Sequence, residues 1–131
     1  MTTDPIRAGF HTVTPYLIVP DAANLIEFLK QAFDATELFR TTGSAGGIHA
    51  ELRIGDSMVM IGGGAGDGGP WQAMLYLYLA DVDAVYQRAL AAGATSLAAP
   101  ADAGDGDYRA GVRDPYGNHW YIASHKQDVA V

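Results

Sequence analysis

An α+β fold built from two consecutive βαβββ repeats is what this chain predicts, on three observations. The first is a recurring strand. Pro15-Tyr16-Leu17-Ile18-Val19-Pro20-Asp21 matches Leu75-Tyr76-Leu77-Tyr78-Leu79-Ala80-Asp81, an offset of 60 from residue 15 to residue 75. Internal repeats are sought first because one that is missed misreads the whole fold. The second is that each strand ends in an Asp that opens a helical pattern, and a carboxylate at that place accepts from first-turn amides. The third is that strand, cap, helix length and later hairpin recur in the same order in both halves.

The elements follow in order. Repeat 1 spans about 12–62. Its helix runs from Ala22 to about Phe33, with Leu25, Phe28, Leu29, Ala32 and Phe33 on one stripe. After Ala35-Thr36 come further strands, the last containing Met58-Val59-Met60-Ile61 and reached through a Gly55-Asp56 turn. A Gly-rich linker at 62–70 reads as a flexible hinge; it has no Lys-Ser/Thr ending and Pro70-Trp71 interrupts any helix, so its spacing does not suit a phosphate-cradling loop. Repeat 2 spans about 73–125. Its helix runs from Val82 to about Ala92, with Val85, Ala89 and Leu90 inward and Gly93 as the stop. The stretch Ala101 to Asp107 reads as a loop and mobile lip. Asp114-Pro115-Tyr116-Gly117-Asn118 is turn chemistry leading into the strand His119-Trp120-Tyr121-Ile122.

Composition narrows the function. The 131 residues carry 49% hydrophobic and 18% charged side chains, a globular balance for a single domain over 1–131. A net charge of −7 with only eight scattered Lys and Arg argues against nucleic acid. No apolar run approaches the roughly 18 residues of a membrane span, and residues 1–10 lack the apolar stretch of a signal peptide, so a cytoplasmic protein is expected. With no cysteine, disulfides, thiolate metal sites and a Cys nucleophile are excluded. Ser57 lacks a Gly-x-Ser-x-Gly context, which argues against a serine hydrolase.

Three stretches carry a family resemblance: Val13-Thr14-Pro15-Tyr16-Leu17, His49-Ala50-Glu51-Leu52-Arg53-Ile54-Gly55-Asp56-Ser57, and Ala110-Gly111-Val112-Arg113-Asp114-Pro115-Tyr116-Gly117-Asn118-His119-Trp120. Over roughly Val13 to His125 the chain resembles the glyoxalase/bleomycin resistance protein/dioxygenase (vicinal oxygen chelate) superfamily, and within it the PhnB-like branch. The resemblance implies a curved mixed sheet around a cavity. It also implies, for metal-using members, four ligands from the first and last strands of each half. Carried over, those positions are Thr14, Met60, Met74 and Tyr121. None is a His or carboxylate, so no metal is expected there. The resemblance further implies a homodimer, through aligned sheets or exchanged halves.

Strand alternation sorts the rest. Leu17, Val19, Val59, Ile61, Leu75, Leu77, Leu79, Trp120 and Ile122 share the parity of the helix side. Thr14, Tyr16, Ile18, Met58, Met60, Met74, Tyr76, Tyr78, His119 and Tyr121 share the other, concave parity. From that set Tyr16, Met60, Met74, Tyr76, Tyr78, His119 and Tyr121 are the candidate ligand-binding residues; equally, they could pack on one another or on a second subunit. His49 and Glu51 alternate onto one face, as a general-base pair, as displaced metal ligands with His119, or as a cross-strand polar pair on a solvated face, the reading favoured here. His11 and His125 are expected to be exposed. Arg109 and Arg113 flank the last hairpin, where either could clamp an anion, and Arg113 is expected to pair with Asp114. The leading expectation is a metal-free protein that sequesters an aromatic or cationic organic compound. The alternative is a metal-dependent lyase, isomerase or dioxygenase of the same superfamily using a divalent metal at His49, Glu51 and His119. A dimer with no ligand of its own is the third. Whether any reaction is catalysed stays open at this point.

Overall fold

Asp21 and Asp81 start the two helices. Asp21 Oδ1 accepts from Asn24 N at 3.1 Å and Asp81 Oδ1 from Ala84 N at 3.2 Å, each satisfying an amide that has no partner within the helix. The computed structural model describes residues 4–42, 47–63 and 72–128. Strand β1 (Tyr16–Val19), helix α1 (Ala22–Phe33) and strands β2 (Thr36–Thr42), β3 (Ile48–Ile54) and β4 (Ser57–Gly63) make one series. The second is β5 (Met74–Tyr78), α2 (Val82–Ala91), β6 (Thr95–Asp102), β7 (Asp107–Arg113) and β8 (His119–His125). The fold is thus α+β with two βαβββ units. Sheet order is β1-β4-β3-β2 in one unit and β5-β8-β7-β6 in the other. In each the first and last strands pair in parallel and the rest are antiparallel. One compact unit lies within Met1–Lys30 and Asp34–Trp71, the other within Gln31–Phe33 and Gln72–Val131. Among the described residues no helix is long and apolar enough to cross a membrane.

The first unit buries Leu17 and Val19 of β1, Leu25, Ile26 and Leu29 of α1, Leu52 of β3 and Ile61 of β4. The second buries Val82, Val85 and Ala89 of α2, Val112 of β7, and Trp120 and Ile122 of β8. Phe33 lies 5.1 Å from the Trp120 ring. Burying such side chains is the main favourable contribution to folding, about 1.5–3 kcal/mol each.

Several expectations need correction. Leu75 and Leu77 are more covered than Met74, Tyr76 and Tyr78 on the same strand but are only half-buried. Met58, assigned to the concave set, is buried. In α2 the inward aromatic is Tyr86, whose hydroxyl donates to Ser96 Oγ at 2.7 Å, while Leu90 is half-buried. Gly62 and Gly63 are strand residues, not linker: a Cβ on Gly63 would lie 2.8 Å from Val19 O and 2.7 Å from Ala22 Cβ. The remainder of the 62–70 linker lies outside the described residues. Ala101, Asp102 and Asp107 belong to strands, and only 103–106 turn. Asp102 Oδ1 accepts from Gly104 N, and Asp105 Oδ1 from Asp107 N. Asp114 is buried and bonds to Tyr116 N, Asn118 N, Asn118 Nδ2 and Trp120 Nε1 rather than to Arg113.

Candidate functional site

Parallel pairing of β5 with β8 puts Tyr76 opposite Tyr121 and Met74 opposite His119. The Tyr76 and Tyr121 rings stack at 6.5 Å and 20°, and Tyr78 meets Tyr76 edge-on at 5.3 Å. Such pairs contribute roughly 0.5–1.5 kcal/mol beyond area burial. Gly111 permits the arrangement: a Cβ there would lie 2.8 Å from Tyr121 Cε1. Tyr76 and Tyr78 remain 43% and 62% exposed, so this is an open aromatic face and not core.

The hydroxyls of that face converge on Asp107. Tyr76 Oη donates to Asp107 Oδ2 at 2.6 Å and Tyr78 Oη at 3.0 Å. His125 Nδ1 lies 2.8 Å from Asp107 Oδ1, and its Nε2 lies 2.7 Å from Asp128 Oδ1. The Tyr76 and His125 bonds hold the Asp107 carboxyl below the usual carboxylate range. Burial and then the Asp107 bond push the Tyr76 phenol up. Asp107, followed by Asp128, raises the His125 imidazole. Arg109 Nη1 donates to Tyr76 Oη at 3.0 Å and to Asp105 Oδ2 at 3.2 Å, and its guanidinium lies 5.7 Å from the Tyr76 ring centre. Arg109 therefore already has partners, an arrangement unlike the free anion clamp considered from sequence. Beside this cluster, a cleft of about 370 Å³ is lined by Asp102, Asp107, Tyr108, Lys126 and Gln127 with two turn glycines. Sequence reasoning missed Asp107; it expected His125 to be exposed, as it is, but not its pairing. His125 is half-exposed but paired.

In the first unit Tyr16 stands opposite Met60 in register. Its hydroxyl lies 2.9 Å from His49 Nδ1, and His49 Nε2 lies 3.3 Å from Glu51 Oε2. Arg7 grips Glu51 with two bonds, Nη1 to Oε2 at 2.8 Å and Nη2 to Oε1 at 2.9 Å. These bonds hold the Glu51 carboxyl below its ordinary range against the opposing effect of burial. The face is not the solvated one expected: the Glu51 side chain is 6% exposed.

The seven sequence-predicted ligand residues thus fall into separate groups. Tyr76, Tyr78 and Tyr121 form one cluster. Met74, 69% exposed, and His119 are neighbours in register beside it. Tyr16 and Met60 are neighbours in the first unit. The four positions carried over as metal ligands present a hydroxyl, two thioethers and a phenol, and the Tyr121 phenol sits in a ring stack. That donor set does not fit a transition metal. Among the described residues no group of three or more His, Asp or Glu that could hold a metal ion is found. His49 and Glu51 instead bond to each other.

The sequence profile of the Glyoxalase/Bleomycin resistance protein/Dioxygenase superfamily matches residues 9–122. The uncharacterized protein Mb0911c of Mycobacterium bovis is 40% identical over 129 residues, covering 89% of this chain and 85% of its own length. The uncharacterized protein Rv0887c of Mycobacterium tuberculosis is 40% identical, with 89% and 76% covered. Among solved structures, TioX from Micromonospora sp. ML1 superposes with a TM-score of 0.74 at 25% identity, covering 88% of this chain and 98% of that one. The fosfomycin resistance protein FosX from Listeria monocytogenes, complexed with Mn(II) and sulfate, shares the fold at a TM-score of 0.66 and 15% identity, covering 88% and 93%.

Proposed function

Because the chain belongs to the Glyoxalase/Bleomycin resistance protein/Dioxygenase superfamily, we propose that it serves as a metal-independent small-molecule binding protein that sequesters an aromatic or cationic organic compound. The observation that carries this reading is the half-exposed Tyr76–Tyr121 stack beside the Asp107 carboxylate. Aromatic faces attract planar rings and cations alike. A net charge of −7 draws cations toward the surface. Tyr16, Met60, Met74, Tyr78 and His119 are assigned to binding on the same grounds of exposure and register. The donor set at Thr14, Met60, Met74 and Tyr121 favours binding over metal-assisted chemistry. A PhnB-like, cytoplasmic homodimer completes the reading; the edge strands β2 and β6 leave backbone groups open to pairing.

The test is titration with proflavine, a planar aromatic cation, after treatment with EDTA. Binding is expected to survive chelation, and Tyr121→Ala is expected to weaken it by more than about tenfold, or about 1.4 kcal/mol. Ile122→Ala, at a fully buried neighbour, should instead cost about 2–5 kcal/mol of fold stability. If Tyr121→Ala unfolds the protein as readily as Ile122→Ala, the tyrosine is core and the binding face does not exist. If chelation abolishes uptake, the metal-independent reading fails. Light scattering at micromolar concentration checks the dimer, and a one-chain mass refutes it.

A further inference from the structure

In the first unit a tyrosine, a histidine and a carboxylate stand in line across three strands. Tyr16 on β1 reaches over β4 to His49 on β3, and Glu51 follows on the same face of β3. The crossing depends on Gly62, the β4 residue opposite His49 in register. A Cβ on Gly62 would lie 2.9 Å from Tyr16 Cε1 and 2.9 Å from Ile18 Cδ1, so only glycine lets the ring lie there. An ionised carboxylate can only accept, which places the imidazole proton on Nε2 and leaves Nδ1 to accept from the Tyr16 hydroxyl. Tyr16 is 49% exposed and so can meet a ligand.

The second unit repeats the pair with different chemistry. Tyr76 and Arg109 occupy the places of Tyr16 and His49, each 60 residues on. Arg109 Nη1 donates to Tyr76 Oη, and a guanidinium cannot take up a proton. There the tyrosine donates to the Asp107 carboxylate; among the described residues it is the first unit's tyrosine that meets an imidazole.

We propose that Tyr16, His49 and Glu51 form a proton relay acting on neutral aromatic carbonyl compounds that carry an enolisable C–H. Protons on oxygen and nitrogen exchange without help, whereas a carbon acid needs a positioned base. The substrate C–H proton passes to Tyr16 Oη as the Tyr16 hydroxyl proton passes to His49 Nδ1. The C–H electron pair becomes the enolate, and the imidazolium is paired with Glu51. Reversal returns a proton to carbon, at the same atom or at a conjugated one, with no oxidant or co-reactant. Phe39, 6.4 Å from the His49 ring, supplies an aromatic flank. Arg7 takes up the second Glu51 oxygen, which leaves the site without surplus charge and suits a neutral substrate. Tyr16 is the catalytic residue; Glu51 and Gly62 are positioning residues.

The test follows hydrogen–deuterium exchange of 2-tetralone in D₂O by proton NMR. Exchange is expected to exceed the buffer rate by at least about tenfold, and to fall by a similar factor in Tyr16→Phe and His49→Gln. Gly62→Ala should also lose exchange, because the ring can no longer cross β4. Glu51→Gln should retain some exchange, with the maximal rate lowered while the ketone concentration for half-maximal exchange stays near the native one; a merely structural role would move both or neither. If Gly62→Ala does not fold, Tyr16→Phe, which removes one oxygen, decides. Exchange no faster than buffer, whether or not the ketone binds, or exchange untouched by Tyr16→Phe, overturns the relay.

Discussion

Asp114 organises the turn that made the chain recognisable. Its carboxylate accepts from Tyr116 N and Asn118 N through Oδ1, and from Asn118 Nδ2 and Trp120 Nε1 through Oδ2, at 2.8 to 3.0 Å. Asn118 in turn accepts from Ala73 N through Oδ1 at 2.9 Å, tying the turn to the entry of β5. Asn118 and Trp120 are fully buried, so removal of the carboxylate strands donors where water does not reach. Each buried unsatisfied group costs about 1–3 kcal/mol. Asp114→Ala is therefore expected to lose upwards of about 3 kcal/mol, read as a shift of the urea midpoint. Asp114→Asn keeps one oxygen for the backbone amides but turns an NH₂ toward two donors, and should fall between alanine and the native protein. A loss below about 1 kcal/mol for the alanine variant would mean that the donors find other acceptors.

The ends of the helices show where sequence and geometry agree and where they strain. Helix α1 stops at Asp34, which takes the left-handed conformation at φ 57° while its N–H bonds to Leu29 O. Glycine has no Cβ penalty there, and a carboxylate is unfavourable beside the last carbonyls. Asp34→Gly should thus stabilise the protein by about 0.5–1 kcal/mol in chemical denaturation; a loss of stability would mean that the Asp34 side chain has a role of its own. In the second unit Gly93, at φ 113°, follows α2 as the sequence indicated. Helix positions were legible because caps and the 3.6-residue stripe are local signals. The parity of β1 and β8 was legible because the buried face of each carries large apolar residues. The parity of β5 holds as well, with Leu75 and Leu77 the more covered residues, but alternation says nothing of how deeply a face is buried. Asp107 was hidden for another reason: its partners Tyr76, Tyr78 and His125 lie 31, 29 and 18 residues away. The Tyr16 contact to His49 and the Arg7 grip on Glu51 span 33 and 44 residues. Candidate side chains could be named from sequence; their joining depends on sheet order and a glycine gap.

Across the whole molecule, the paired acids and His125 shape the response to pH. Asp107, Glu51 and Glu37 all have lowered pKa values: Asp107 chiefly through Tyr76, Glu51 through Arg7, and Glu37 through Arg40. A lowered carboxyl contributes stability that is present above its unfolded value of about 4 and is lost as pH falls through the folded value. The His125 pKa is raised, so its contribution is complete below about 6.5 and is lost as pH rises through the raised value. Melting temperature should therefore drop on acidification below about pH 4, with a smaller decline above about pH 6.5 that His125→Gln abolishes. A profile unchanged by that substitution would show that the His125 pair contributes nothing to stability. Trp120, buried against Phe33 with its indole N–H on a carboxylate, has an optical consequence. Its emission should be blue-shifted when folded and move to the red on exposure, reporting the melting of the second unit. In a Trp71→Phe variant Trp120 is the one remaining tryptophan, and far-ultraviolet dichroism follows the helices and strands of both units. Recorded together through a thermal ramp, the two signals show whether the duplicated halves melt as one cooperative transition or in succession.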